Sequence, residues 1–359
     1  MTSAIDFPIP PEKNCTSGSS IAPISMPDTL LHTMARKKSK AAPPLPPRGG
    51  LGASRVRVPD TLAPVTALEF LSEVVATQRH RHPEDTPEAV MQRFAEGEVV
   101  LRDATPLTPD TILTPGTDVF FYRRPAPERV VPYEVTTVFE DEDILVINKP
   151  PFLATMPRAA HITETATVRL RRATGNEELT PAHRLDLMTS GLLLFTKRRE
   201  LRGPYQELFA RREVRKQYTA VAELQDVELG TWRHRISKVH GEVAATLVSG
   251  EPNAITHVRG VTPIDDSTTA SLAATYNVET PLATYVLEPV TGKTHQLRIQ
   301  MSAAGAPILG DPIYPVVQPF GSEDFARPML LTSVFLGFTD PLSGVLREFR
   351  AQPWLPTTG

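Results

Sequence analysis

Asp186 is the first candidate for chemistry. It lies in Pro181-Ala182-His183-Arg184-Leu185-Asp186-Leu187-Met188-Thr189-Ser190-Gly191, ahead of the apolar run Leu192 to Phe195 and of Lys197. A cationic dipeptide precedes the acid, Thr189-Ser190-Gly191 makes a turn-like break after it, and the apolar run has the length of a buried strand. An acid on a loop that a buried strand holds still is placed for chemistry. A strand-end Asp that caps a turn or pairs with Arg184 explains the same letters without chemistry. Residues 217–224 alternate as a second strand, so Lys216, Tyr218, Ala220 and Ala222 share a face. The small residues leave room beside Tyr218 for a flat ligand. A core or edge tyrosine with a snorkelling lysine is the plain alternative. Residues 291–300 read as a turn and a third strand, with Leu297 and Ile299 on one side and Gln296, Arg298 and Gln300 on the other. An arginine there is, by itself, an ordinary ion-pair former.

The surrounding sequence supplies the elements that must hold these groups. Residues 135–139 and 144–149 read as strands separated by the acidic turn Glu140-Asp141-Glu142-Asp143, which is expected to be solvated. Pro150 and Pro151 stop the second strand. Lys149 at its end reads as structural or as a phosphate contact. Pro204 suits the start of a helix with Tyr205, Leu208 and Phe209 on one side. Short strands without regular βαβ alternation agree with an α+β domain. Basic residues crowd both sides of Asp186: Arg158, Arg169, Arg171 and Arg172 before it, and Lys197, Arg198, Arg199, Arg202, Arg211, Arg212, Arg215 and Lys216 after it. Such a run is most often a solvated face. Around a candidate catalytic loop it gains weight as a phosphate track.

Upstream, residues 61–124 form a separate small module. Helices are expected at 66–76 and 87–94, and strands at 99–101 and 113–122. Residues 1–60 read as a disordered Pro/Ser-rich basic tail carrying Lys37, Lys38 and Lys40, with Met34 as an alternative start. A proline-containing linker follows at 125–131, and the catalytic domain is expected over 130–359.

His-Arg-Leu-Asp followed by Thr-Ser-Gly-Leu-Leu-Leu resembles the signature loop of the RluA-type pseudouridine synthases. Asn148-Lys149-Pro150 is similar to an earlier motif of that family. Phe209, Val214, Lys216, Tyr218 and Ala220 match its Phe…Val-x-Lys-x-Tyr-x-Ala pattern. Thr291-Gly292-Lys293-Thr294-His295-Gln296-Leu297-Arg298 and the stretch from Gly305 to Tyr314 resemble its last two motifs. Lys293, Gln300 and Thr332 stand where the family usually has Arg, His and His, departures that bear on subfamily and substrate. The resemblance implies an α+β pseudouridine synthase fold, a mainly antiparallel sheet with flanking helices, preceded by a small S4-like α/β module. It makes Asp186 the catalytic carboxylate, Tyr218 the residue that stacks on the target base and a proton acceptor, and Arg298 the partner that holds Asp186 ionised and aimed. Arg184 would fill the space of the flipped base; His183, Lys216, Lys197, Arg198 and Lys293 would contact RNA. Whether the carboxylate attacks C1′ or acts as the base for a glycal route stays open.

The expected substrate is ribosomal RNA, with transfer RNA as the alternative. The expected protein is a cytoplasmic monomer without cofactor or metal. Nothing in the 359 residues approaches a membrane-spanning apolar run. The one cysteine, Cys15, excludes an intrachain disulfide, and His234 and His240 lack a third metal ligand. The formal net charge of −3 confines any RNA affinity to a local patch. A rival reading is an RNA-binding or ribosome-assembly protein that has lost catalysis. A glycosidase would need a second acid beside Asp186, and the motifs hold none.

Overall fold

The computed structural model describes residues 44–60, 63–78, 80–279, 281–319 and 324–355. Cys15, Met34 and the tail lysines lie outside these residues. The module and the large sheet that follows it belong to one unit, Pro43–Gly359.

The module contains β1 (Ser54–Arg57), β2 (Val65–Thr66), α1 (Ala67–Ala76), α2 (Pro87–Ala95), β3 (Val99–Val100), β4 (Ile112–Leu113) and β5 (Asp118–Phe121). Thr66 and Glu69 cap α1 reciprocally: the Glu69 N–H donates to Thr66 Oγ1 at 3.2 Å, and the Thr66 N–H to Glu69 Oε2 at 3.1 Å. Pro87 opens α2 behind Thr86. Phe70, Leu71, Val75, Val90 and Phe94 from the two helices pack on Val99, Val119 and Phe121 of a three-stranded antiparallel sheet, β1-β5-β3. The edge strand β1 corrects the expected tail, which was carried to residue 60: Ser54–Arg57 pairs with Asp118–Phe121 and completes the module.

The larger part follows with β6 (Thr136–Glu140), β7 (Ile144–Lys149), α3 (Ala166–Thr174), β8 (Thr180–Pro181), β9 (Ser190–Thr196), α4 (Arg202–Ala210), β10 (Arg215–Glu223), β11 (Gly230–Ser237) and β12 (Thr246–Val248). It continues with β13 (Ala254–Pro263), α5 (Asp266–Tyr276), β14 (Leu282–Pro289), α6 (Gln296–Ala303), β15 (Leu331–Thr339) and β16 (Leu346–Arg350). One 11-stranded sheet runs β12-β11-β13-β14-β10-β15-β9-β7-β6, with β16 on β15 and β8 on β9. Its central strands are apolar on both faces. Leu145, Ile147, Leu193 and Phe195 enter one core, and Ile144, Val146, Leu192 and Leu194 enter another under Tyr205 and Leu208 of α4.

Among the described strands β9 and β15 alone pair in parallel, placing Ser333 beside Gly191. A Cβ on Gly191 would stand 2.3 Å from the Ser333 carbonyl oxygen, and its φ of +105° suits only glycine. Gly191→Ala is therefore expected to lose about 3 kcal/mol of stability from steric overlap and backbone strain combined. Equilibrium denaturation measures it; an unchanged midpoint would remove the close approach as a constraint.

The strand expected over residues 296–300 is instead the helix α6. Gln296, Leu297, Arg298, Ile299, Gln300 and Met301 are all buried. Polar and apolar residues alternate there, but the polar ones are buried by hydrogen bonding, so the alternation does not mark an inside and an outside. Thr256 Oγ1 donates to Gln300 Oε1 at 2.7 Å and accepts from Gln296 Nε2 at 2.9 Å, joining positions one helical turn apart.

Candidate active site

Asp186 is held by backbone bonds on both of its neighbours. Thr155 Oγ1 donates to the Leu185 carbonyl at 2.8 Å and accepts from the Leu185 N–H at 3.1 Å. On the other side Lys149 Nζ donates to the Leu187 carbonyl at 3.3 Å, and to those of Pro150 at 2.8 Å and Leu153 at 2.7 Å. Lys149 is wholly buried, which makes it a structural tie and excludes a phosphate contact. Burial pushes its ammonium down to about 7, and the charge of Asp186 pulls the other way. The Thr189 N–H closes the turn on the Asp186 carbonyl at 3.1 Å. With its backbone fixed, the Asp186 carboxylate accepts no hydrogen bond among the described residues and lines a cleft of about 410 Å³. That volume suits a small-molecule-sized group such as one nucleoside.

Tyr218 enters the cleft from β10, two strands from β9 with β15 between them. Lys216 lines it too, so the face expected from the alternation is the one presented. Burial pushes the Tyr218 phenol up to about 12, with the Ser333 hydroxyl opposing and the Asp186 charge adding to the rise. Burial, with the Arg212 charge, pushes the Lys216 ammonium below its ordinary value. Arg184, Arg212 and Lys293 also line the cleft, and among the described residues none of their side chains has an ion-pair partner. His183 is part of the framework: its ring stacks on Phe209 at 4.3 Å, and its Nε2 accepts the Leu194 N–H at 3.2 Å. Burial and the Lys216 charge push it down to about 3, so it is neutral.

Arg298 lines the same cleft, but its partner is not the expected one. Its Nε donates to Asp311 Oδ2 at 2.7 Å and its Nη2 to Asp311 Oδ1 at 2.6 Å, a bidentate pair with the two side chains 3% and 0% exposed. Asp311 Oδ1 also accepts the N–H groups of Ile313 and Tyr314 at 2.8 and 3.2 Å. Burial works against the guanidinium charge, yet Asp311, then Asp186 and Tyr314, raise its pKa above the ordinary value. Arg298 thus acts on Asp186 through space and makes its hydrogen bonds elsewhere. The geometry of the Gly310-Asp311 turn explains this. Gly310, at φ +76°, has no space for a Cβ, which would sit 2.4 Å from the Pro328 carbonyl oxygen, and the turn it permits brings Asp311 against α6.

Lys197 and Arg198 do not line the cleft. Lys197 Nζ donates to Glu140 Oε1 at 2.7 Å, and Arg198 pairs with Asp143 and Glu142. The acidic turn expected to be merely solvated is their partner. His295 was missed as a site residue. It lines the cleft in the left-handed region at φ +57°, with Nδ1 3.2 Å from the Tyr314 hydroxyl. Burial, reinforced by Arg298, pushes it down to about 4. The break Thr291-Gly292-Lys293 ahead of it was the available signal.

A family model described as RNA pseudouridylate synthase matches residues 143–303, which include Asp186, Tyr218 and Arg298. The dual-specificity RNA pseudouridine synthase RluA of Pasteurella multocida is 32% identical over 221 residues, 60% of this chain and 92% of that protein. Ribosomal large subunit pseudouridine synthase D of Zymomonas mobilis is 31% identical over 248 residues, 62% and 69% of the two chains. The structure of human RNA pseudouridylate synthase domain containing 1 matches at 26% identity with a TM-score of 0.48, covering 64% of this chain and 87% of that one. The matching family model and relatives thus put the chain in an enzyme class that isomerises uridine within RNA. This chain belongs to the RluA-type RNA pseudouridine synthase family. Among the described residues no helix is long and apolar enough to cross a membrane.

Proposed function

We propose that the chain converts a uridine of ribosomal RNA to pseudouridine, with Asp186 as the catalytic carboxylate. The observation that carries this reading is an Asp186 carboxylate with no hydrogen bond among the described residues, anchored at both neighbouring residues and sharing one cleft with Tyr218 and Arg298. The reaction breaks C1′–N1, turns the uracil, joins C1′ to C5, and moves the C5 proton to solvent while N1 gains one. Asp186 serves at C1′ as nucleophile, or at the sugar as the base that starts the glycal route; both need the same free carboxylate. The uridine must leave its stack for C1′ and C5 to be reached. Arg184, exposed on the catalytic loop, suits the space the base vacates. The ring of Tyr218 retains the detached base. Its phenol, pushed up to about 12, is neutral at physiological pH, which favours a stacking platform over a standing phenolate base. Lys216, Arg212 and Lys293 are placed for flanking phosphates. The small α/β module is proposed as an S4-like RNA contact.

Ribosomal RNA is favoured because one relative carries the ribosomal large subunit in its name. The deciding experiment is a pseudouridine map of cellular RNA with and without the gene, repeated on transcripts treated with purified protein. We expect at least one ribosomal position to lose its modification without the gene and to regain it in vitro. Identical maps would refute the proposal.

A further inference from the structure

A second cleft, of about 580 Å³, lies between the N-terminal module and the catalytic part, lined by Arg48, Arg123, Glu128, Arg158 and Arg172 among others. We infer that it binds the phosphodiester backbone of the substrate RNA outside the target nucleotide. This rests on the RNA-modifying function already assigned and adds a second contact to it.

The charges of this cleft do not cancel. Glu128, its acidic group, is occupied by backbone: it accepts the N–H groups of Ile162 at 3.0 Å, Thr163 at 2.7 Å and Glu164 at 3.1 Å, and the Thr163 hydroxyl at 2.9 Å. Arg48 is paired with Glu98 and lies 4.0 Å over the Tyr122 ring, and Arg172 gives Nε to the Gly49 carbonyl at 2.7 Å. Arg123 and Arg158 have no side-chain partner among the described residues, and Arg123 Nε is buried without an acceptor. Two guanidinium groups without a counter-ion leave a net positive cleft that favours an anionic ligand. A planar fork of donors matches phosphate oxygens. The neighbouring cations are not available for this. Arg169 holds the Val131 and Tyr133 carbonyls at 2.7 Å each, and Arg171 the carbonyls of Leu179 and Gly50 at 2.9 and 3.2 Å.

Continuity with the catalytic loop makes the ligand an RNA strand and not an isolated phosphate. Thr155, which clamps Leu185 beside Asp186, begins the segment that carries Arg158. Three extended residues span at most about 10 Å. A strand that leaves the catalytic cleft on this side therefore needs only a few nucleotides to reach Arg158.

The test uses the full chain, its Arg123→Ala/Arg158→Ala variant and two RNAs. One is the stem-loop around the uridine assigned by the map, and the other is the same stem-loop with its natural single-stranded extensions. We expect the variant to keep kcat on both RNAs and KM on the stem-loop, and to raise KM on the extended RNA about tenfold. Loss of two single-strand phosphate contacts should make its log–log salt slope shallower by about 1.4. An Arg123→Lys/Arg158→Lys variant, which keeps the charge, should recover most of the affinity. An unchanged KM on the extended RNA would overturn the inference. So would equal weakening on both RNAs, or free inorganic phosphate competing while the extension adds nothing. Failure of the wild-type chain to turn over either RNA would instead count against the proposed function.

Discussion

An Asp186→Asn protein is expected to bind its RNA with unchanged affinity and to form no measurable pseudouridine. The amide keeps the size of the carboxylate but can neither attack C1′ nor take a proton from the sugar. Turnover should fall on the order of 10⁴-fold, the scale of losing a group that bonds to or deprotonates the reacting centre. The fold should not suffer, because the loop is held by main-chain bonds to Thr155 and Lys149 that do not involve the altered side chain. Stability is expected to stay within about 0.5 kcal/mol, as for substitutions that break no buried contact. A radiolabel or mass-based assay on the mapped transcript, with a parallel binding isotherm, reads both quantities. Residual turnover near wild type would exclude Asp186 from the chemistry. An RNA-binding protein without catalysis would show the same null product for both proteins.

Much of this site could be read from the letters, and the reason is local. The runs Ile144–Lys149 and Ser190–Thr196 are apolar at successive positions because their strands bury both faces. The Thr66 cap and Pro87 mark helix starts within one turn of sequence. Lys216 and Tyr218 share a face by the period of a strand. What the letters hid depends on distant partners or on buried polar groups. Ser54–Arg57 looks like tail until Asp118–Phe121 is available to pair with it. The parallel contact of Gly191 with Ser333 joins segments that local pattern cannot relate. In α6 the period of two arose because Gln296, Arg298 and Gln300 are buried by bonding to Thr256, Asp311 and neighbours. Lys197 and Arg198 looked free because Glu140 and Asp143, which hold them, lie more than fifty residues upstream.

The same burial sets the expected behaviour of Arg298 and Asp311. Asp311→Ala removes two charge-assisted bonds and the acceptor for the Ile313 and Tyr314 N–H groups, leaving a guanidinium 3% exposed without a counter-ion. Breaking a buried pair in this way is expected to destabilise the chain by about 3–5 kcal/mol. Replacing both residues, as Arg298→Met/Asp311→Leu, removes the stranded charge and should recover a large part of that stability. Turnover separates the two roles open to Arg298. If its positive charge beside Asp186 aids the reaction, the refolded double variant should remain slower by about 10²-fold, the scale of one lost electrostatic contact at a reacting centre. Its RNA affinity should still be that of wild type, since neither residue is among the unpaired cations of the cleft. If the double variant regains both stability and rate, the pair is scaffold alone. Electrostatic help at the reacting centre would then have to come from the cleft's remaining cations, with Lys216, Arg212 and Lys293 next in line for substitution.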